Sequence, residues 1–189
     1  MDINTFITKI DADKGLAPLD KFQVLVTLPE KVKSLDGMEK NMTGLHFLCD
    51  AAPMPGKTIA TSELRHYGPT RKIAREVTYP EMQLSFIMTN AMTARNVFLD
   101  WMNFIISPTT ANIEYQDHYK GDIEILMLNQ QATAANKTNS ILAVKYEQAY
   151  PTNVDPINLG WDQINQLGKF SVNFAYKKWS DTKKPYKKP

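Results

Sequence analysis

The sequence predicts a mainly β domain with one flanking α-helix. Three observations point there: six short stretches in which apolar and polar residues alternate, one stretch in which apolar residues recur every three or four positions, and long irregular segments carrying proline, glycine and small polar residues. Alternation marks a half-buried strand because successive side chains point to opposite faces. A three-to-four period gathers apolar residues on one side of a helix.

In chain order, Phe22, Val24, Val26 and Leu28 share one face of a first strand, which Pro29 ends because proline cannot donate to a ladder. Residues 45–49 form a shorter candidate strand, closed by the turn cluster AAPMPGK. Residues 51–81 read as an irregular projecting loop that includes an extended hairpin near 58–62 and 72–77. Leu84, Phe86 and Met88 then alternate with Gln83, Ser85 and Ile87. Over about 93–106, Ala94, Val97, Phe98, Trp101, Phe104 and Ile105 make a single apolar stripe that fits a helix laid over a sheet. Asn90 or Thr93 is the expected cap, and Pro108 stops the helix.

Ile123, Ile125 and Met127 alternate with Asp122, Glu124 and Leu126; Leu142, Val144 and Tyr146 face away from Ala143, Lys145 and Glu147. Between these strands NQQATAANKTNS (129–140) is polar and small, the composition of an exposed loop. YEQAYPTNVDPINLGWD (146–162) carries two prolines and a glycine, and is expected to be an irregular bridge off the ladder. The last strand is the clearest, with Phe170, Val172, Phe174 and Tyr176 set against Ser171, Asn173, Ala175 and Lys177.

At 189 residues, with 43% hydrophobic and 22% charged residues, the chain can bury one core but is short for two. We expect a single domain over 1–179 and a basic, flexible tail over 180–189. No apolar run approaches the length of a membrane span, and the first residues lack the pattern of a cleaved signal. The single cysteine, Cys49, rules out an intramolecular disulfide. Formal charge is +2, yet the last thirteen residues hold six lysines and one aspartate, so the remaining body carries 2 − 5 = −3. A mildly acidic body argues against one built to grip nucleic acid.

Catalytic signatures are missing: there is no G-x-S-x-G elbow, no phosphate-cradling glycine loop and no dinucleotide fingerprint. His46 and Cys49, three apart on a candidate strand, would point to opposite faces and share no metal. No enzyme activity, cofactor or metal is expected. A β domain with projecting loops and no catalytic constellation suggests work by association, because sheet edges and projecting hairpins can be completed by a neighbouring copy.

Five stretches, in a consistent order over about 20–179, also resemble the tail tube proteins of contractile-tailed bacteriophages. They are FQVLVTL, LHFLCDAAPMPG, RKIAREVTYPEMQLSFIMTNAMTARNVFLDWMNFI, a Y-x-G-D-I-E-I strand, and AYPTNVDPINLGWDQINQLGKFSVNFAYKKW. The resemblance implies two packed antiparallel sheets forming a β-barrel or sandwich, related in fold to type VI secretion tube proteins. It further implies hexameric rings that stack into a tube within a contractile sheath, with viral DNA passing along the lumen. The implied partners are other copies of itself, the sheath protein, and the baseplate or initiator and terminator proteins. The implied location is the virion tail, after assembly in the host cytoplasm.

Within that frame, Arg65, Arg71, Lys72 and Arg75 are candidate ring-stacking contacts. Asp122, Glu124 and Glu147 are candidate lumen-lining residues, since a lumen that carries DNA should repel phosphate or stay near neutral. Pro151, Pro156 and Trp161 are a candidate assembly bridge: the prolines stiffen the path and Trp161, with Ile157 and Leu159, pins it to the core or to a neighbour. The basic tail is expected outside the lumen. The rivals are a tube initiator or baseplate tube-fold protein, and a small nucleic-acid-binding β-barrel for which the lysine tail is the only support.

Overall fold

The computed structural model describes residues 3, 17–35, 37–42, 44–65, 67–129, 140–161 and 166–183. Its elements are β1 (Phe22–Thr27), the short helices α1 (Glu30–Lys33) and α2 (Met38–Met42), a 3-10 turn (Leu45–Phe47), β2 (Cys49–Ala51), β3 (Thr58–Leu64), β4 (Arg71–Thr78), β5 (Met82–Ile87), α3 (Thr93–Ile105), α4 (Gln116–Tyr119), β6 (Gly121–Leu128), β7 (Ser140–Val154), β8 (Lys169–Ala175) and β9 (Lys178–Asp181). The fold is mainly β, as the alternation predicts.

Every strand pairing is antiparallel. The main sheet runs β1-β6-β7-β8-β5-β2, with β9 added to β7. The long β7 belongs to two layers. Its first half lies between β6 and β9, and its second half pairs with β8. The change of partner falls between Ala149, opposite Gly121, and Tyr150, opposite Ala175, just after the register shift that holds Gln148, a non-glycine residue with φ +58. Asp122 stabilises it: its Oδ1 accepts a hydrogen bond from the Gln148 amide at 3.2 Å. An extra residue of this kind bends a strand and raises its twist, which is how one strand turns the corner of a barrel. On the opposite side the 3-10 turn lies alongside β1, and the Leu48 carbonyl accepts from the Ile87 amide at 2.8 Å. The sheet is thus nearly closed into a barrel.

The two layers bury opposed inner faces. Val24, Ile125 and Val144 stand in register on one side. Met82–Phe174, Leu84–Val172 and Phe86–Phe170 do so on the other, and all nine are buried. Helix α3 lays the expected stripe into this core, with Ala94, Val97, Phe98, Trp101 and Ile105 buried. Phe98 meets the rings of Phe86, Phe170 and Phe174 at centroid distances of 5.0, 6.5 and 5.6 Å. These are tilted and edge-on contacts of the kind that contribute about 0.5–1.5 kcal/mol each beyond area burial.

Three sequence expectations are corrected. Of the strand expected over 45–49, residues 45–48 are not a strand: Gly44, at φ +87, opens a 3-10 turn instead, closed by Phe47 N–H to Gly44 O and Leu48 N–H to Leu45 O. His46 therefore sits in that turn, and β2 begins only at Cys49. The start of α3 is capped by neither Asn90 nor Thr93; Met92, at φ +52, precedes it without a side-chain cap. The bridge over 146–162 is not off the ladder throughout, because β7 continues through Pro151 to Val154. Pro151 stands opposite Phe174. It is tolerated because among the described residues nothing pairs on the other side of that half-strand, an edge position where a missing N–H costs little. Most of the 129–140 loop, and residues 184–189 of the tail, lie outside the described residues. No helix among the described residues is long and apolar enough to cross a membrane.

Candidate functional site

The projecting segment 51–81 contains a two-stranded sheet of its own, β3 paired with β4. None of its strand residues is buried. Ile59, Leu64, Ile73 and Val77 are between 42% and 55% exposed, and Tyr67 in the connecting turn is fully exposed. Two isolated strands are marginal in water, so the foot of the hairpin matters. Two buried or half-buried aromatics hold it: Tyr146 donates its hydroxyl to the Pro53 carbonyl at 3.3 Å, and Trp179 Nε1 donates to Gly56 O at 3.1 Å. Tyr176 packs edge-on against Tyr146 at 4.8 Å and faces Tyr79 at 6.1 Å. Sequence reasoning missed this clamp, although its partners lie in the clearest strands.

The basic candidates map onto the hairpin. Arg71 stands opposite Leu64 and Lys72 opposite Glu63. Arg75 falls at a bulge, skipped where the register shifts between Ala60 and Thr61, and Arg65 follows the end of β3. All four are exposed.

The acidic candidates share the outward face of the β1-β6-β7-β9 layer. Leu25, Glu124, Lys145 and Ser180 lie in register across it, with Asp122 and Glu147 two positions along their strands. Cations offset two of these carboxylates and a hydroxyl meets the third. Lys145 Nζ lies 2.8 Å from Asp122 Oδ2, Lys178 Nζ lies 3.1 Å from Glu147 Oε2, and the Thr182 hydroxyl donates to Glu124 at 3.4 Å. The Asp122 hydrogen bond, reinforced by Glu147 and Glu124, holds the Lys145 ammonium above its usual range despite some burial. The face is therefore a mixed array with three carboxylates and two ammoniums, close to neutral.

The bridge residues split. Pro151 is buried within β7, Ile157 packs against the core, and Leu159 and Trp161 are almost wholly exposed. Trp161 makes no use of its own core.

A further surface was not anticipated. Beyond α3, residues 106 and 113 form an isolated bridge and Ile113 and Tyr115 are 72% and 79% exposed. Beside them Leu35, Asp100, Asn103, Phe104, Ser107 and Glu114 line a groove of about 470 Å³. Its rim is tied by His118, whose Nδ1 bonds Glu114 while Nε2 lies 3.0 Å from Lys31 Nζ. The His118 hydrogen bond also holds the Glu114 carboxyl below its ordinary value. Among the described residues no cluster of histidine, cysteine and carboxylate groups is arranged to hold a metal.

Comparison with known proteins places this geometry. Among solved structures, the chain superposes on one from the cryo-EM structure of the PVC extracellular contractile injection system sheath–tube complex in its extended state. The TM-score is 0.62 at 16% identity, over 93% of this chain and 96% of that one. A chain of the anti-feeding prophage tube-terminating cap gives 0.60 at 16% identity over 88% and 91%. One from the anti-feeding prophage baseplate gives 0.60 at 13% over 88% and 95%. At these identities the likeness establishes a shared fold. No curated protein sequence matches. The family model described as phage tail tube protein matches residues 17–182, nearly the whole described domain, and the chain belongs to that family.

Proposed function

We propose that this chain is the repeating structural subunit of a contractile-type tail tube: six copies close a ring, rings stack, a sheath encloses the stack, and viral DNA passes along the lumen. The observation that carries the reading is the β3–β4 hairpin, which stands off a closed core with no buried strand residue and four exposed large aliphatic side chains. A hairpin of that composition gains its apolar contacts from another chain. Family membership supplies the tube, and structural likeness to chains from sheath–tube, cap and baseplate assemblies supports sheath, terminator and baseplate proteins as partners. The virion tail is the corresponding location, reached after assembly in the host cytoplasm.

Under this reading the outward face bearing Asp122, Glu124 and Glu147 lines the lumen. Its near-neutral charge suits passage of a polyanion, since exposed lysines in excess would bind phosphate and retard it. Arg65, Arg71, Lys72 and Arg75 serve stacking between rings, and the bridge with Pro151, Pro156 and Trp161 meets a neighbouring subunit.

Concentrating the purified chain, with and without tube fragments as nuclei, and viewing it by negative-stain electron microscopy with parallel mass measurement tests the proposal. Hollow rings of six and stacked tubes are expected; a strict monomer in the presence of nuclei overturns it. Copy number per particle separates a tube subunit, present in many copies, from an initiator present in one or two rings.

A further inference from the structure

The hairpin and the groove beside α3 are complementary in kind. Residues 57–78 hold five lysines and arginines against two glutamates. Their tip presents Leu64 and the fully exposed Tyr67, with Arg65 and Arg71 to either side. The groove is walled by Leu35 and Phe104, flanked by exposed Ile106, Ile113 and Tyr115, and edged by Asp100 and Glu114. Other charges face it too. Lys31 lies against His118, and Lys120 pairs with Asp117, so those cations are engaged. Asp100, exposed on α3, has no ion-pair partner among the described residues. A groove with two apolar walls, exposed apolar flanks and an acidic edge suits an apolar, aromatic tip with basic shoulders.

We propose that the tip of the β3–β4 hairpin of one copy docks in the groove beside α3 of a second copy, with Tyr67 entering between Leu35 and Phe104 and with Arg71 meeting Asp100. Because the two surfaces differ, the contact is head-to-tail, and such contacts propagate into rings or filaments instead of closing a dimer. The inference rests on the tube reading and adds to it the receiving surface.

The test mixes full-length Tyr67→Cys with full-length Asn103→Cys, assembles tubes, and oxidises mildly before non-reducing electrophoresis. Both variants carry Cys49→Ser as well, since Cys49 is a free, half-buried cysteine that would otherwise compete in the oxidation. Disulfide-linked dimers are expected in the mixture and in neither variant alone. Independently, Asp100→Arg and Arg71→Asp should each raise the critical concentration about tenfold, and the double variant should recover most of the loss. Tubes that form without the mixed cross-link, with no recovery in the double variant, overturn the docking while leaving the tube reading intact. Failure of the unmodified chain to form tubes even in the presence of nuclei overturns the tube reading itself.

Discussion

The indole of Trp101 lies against the backbone of Gly121, so close that a β-carbon there would stand 3.1 Å from the ring and 2.6 Å from the Thr27 carbonyl oxygen. Trp101 also donates Nε1–H to Tyr119 O at 2.9 Å. Helix α3, helix α4, the end of β1 and the entry of β6 are therefore locked at one point. Gly121→Ala forces a backbone or the indole to move. We expect a loss of about 1–3 kcal/mol in urea unfolding. A variant as stable as the parent would show that the contact yields freely.

Tyr146 fixes the alkaline limit. Its hydroxyl is buried against Pro53 O, and burial, with Tyr176 adding a smaller effect, pushes its pKa well above the ordinary 10.0. A raised folded pKa contributes stability that holds below the unfolded value and is lost as pH rises toward the folded one. Stability should thus fall above about pH 10. Tyr146→Phe should lose about 1 kcal/mol at neutral pH with its hydrogen bond, yet decline less steeply between pH 10 and 11. Tyr176, also raised by burial, leaves some residual slope. Parallel slopes for the two proteins would remove Tyr146 from the account.

Trp161, exposed in the single chain, is expected to separate folding from assembly. Trp101 is buried and Trp179 half-buried, whereas Trp161 is fully exposed. Trp161→Ala should change monomer stability by less than about 0.5 kcal/mol while weakening assembly. In the parent, tryptophan emission should shift to shorter wavelength on assembly, and Trp161→Phe should abolish most of that shift. An assembling parent whose spectrum does not move would place Trp161 outside any subunit contact.

The regular strands were legible because each has one buried face. Val24, Ile123, Ile125, Leu84, Phe86, Phe170, Val172 and Phe174 are all buried where alternation puts them, and the helix read over 93–106 runs over Thr93–Ile105. Alternation misled at residues 45–48, where a left-handed Gly44 makes a turn whose only buried member is Leu45. It fell silent in the second half of β7 because a strand that shifts register around Gln148 and changes layers after Ala149 loses its period there. That Asp122, Glu124 and Glu147 share one face follows from strand parity and register. That Lys145 and Lys178 nearly neutralise them depends on pairing between strands distant in sequence, which composition does not carry. The groove beside α3 had no signal at all, since Leu35 and Phe104 meet only in three dimensions.

The hairpin makes the sharpest dynamic prediction. Its strands are held by cross-strand hydrogen bonds with no third strand and no buried side chain, and local opening is easiest where buried apolar contacts are few. In dilute monomer, amides of β3 and β4 should exchange with solvent orders of magnitude faster than those of β6 and β8, whose alternate residues are buried. Assembly should protect them, because ordering the hairpin is then coupled to burying Ile59, Leu64, Ile73 and Val77. Ile73→Asp together with Val77→Asp should leave the monomer's unfolding midpoint nearly unchanged and abolish tubes. Hydrogen exchange on monomer and tube decides the matter. A hairpin already as protected in the monomer as β6 would mean that its order owes nothing to a neighbour, and that the ordering cost which would hold free subunits apart until a nucleus is present does not exist.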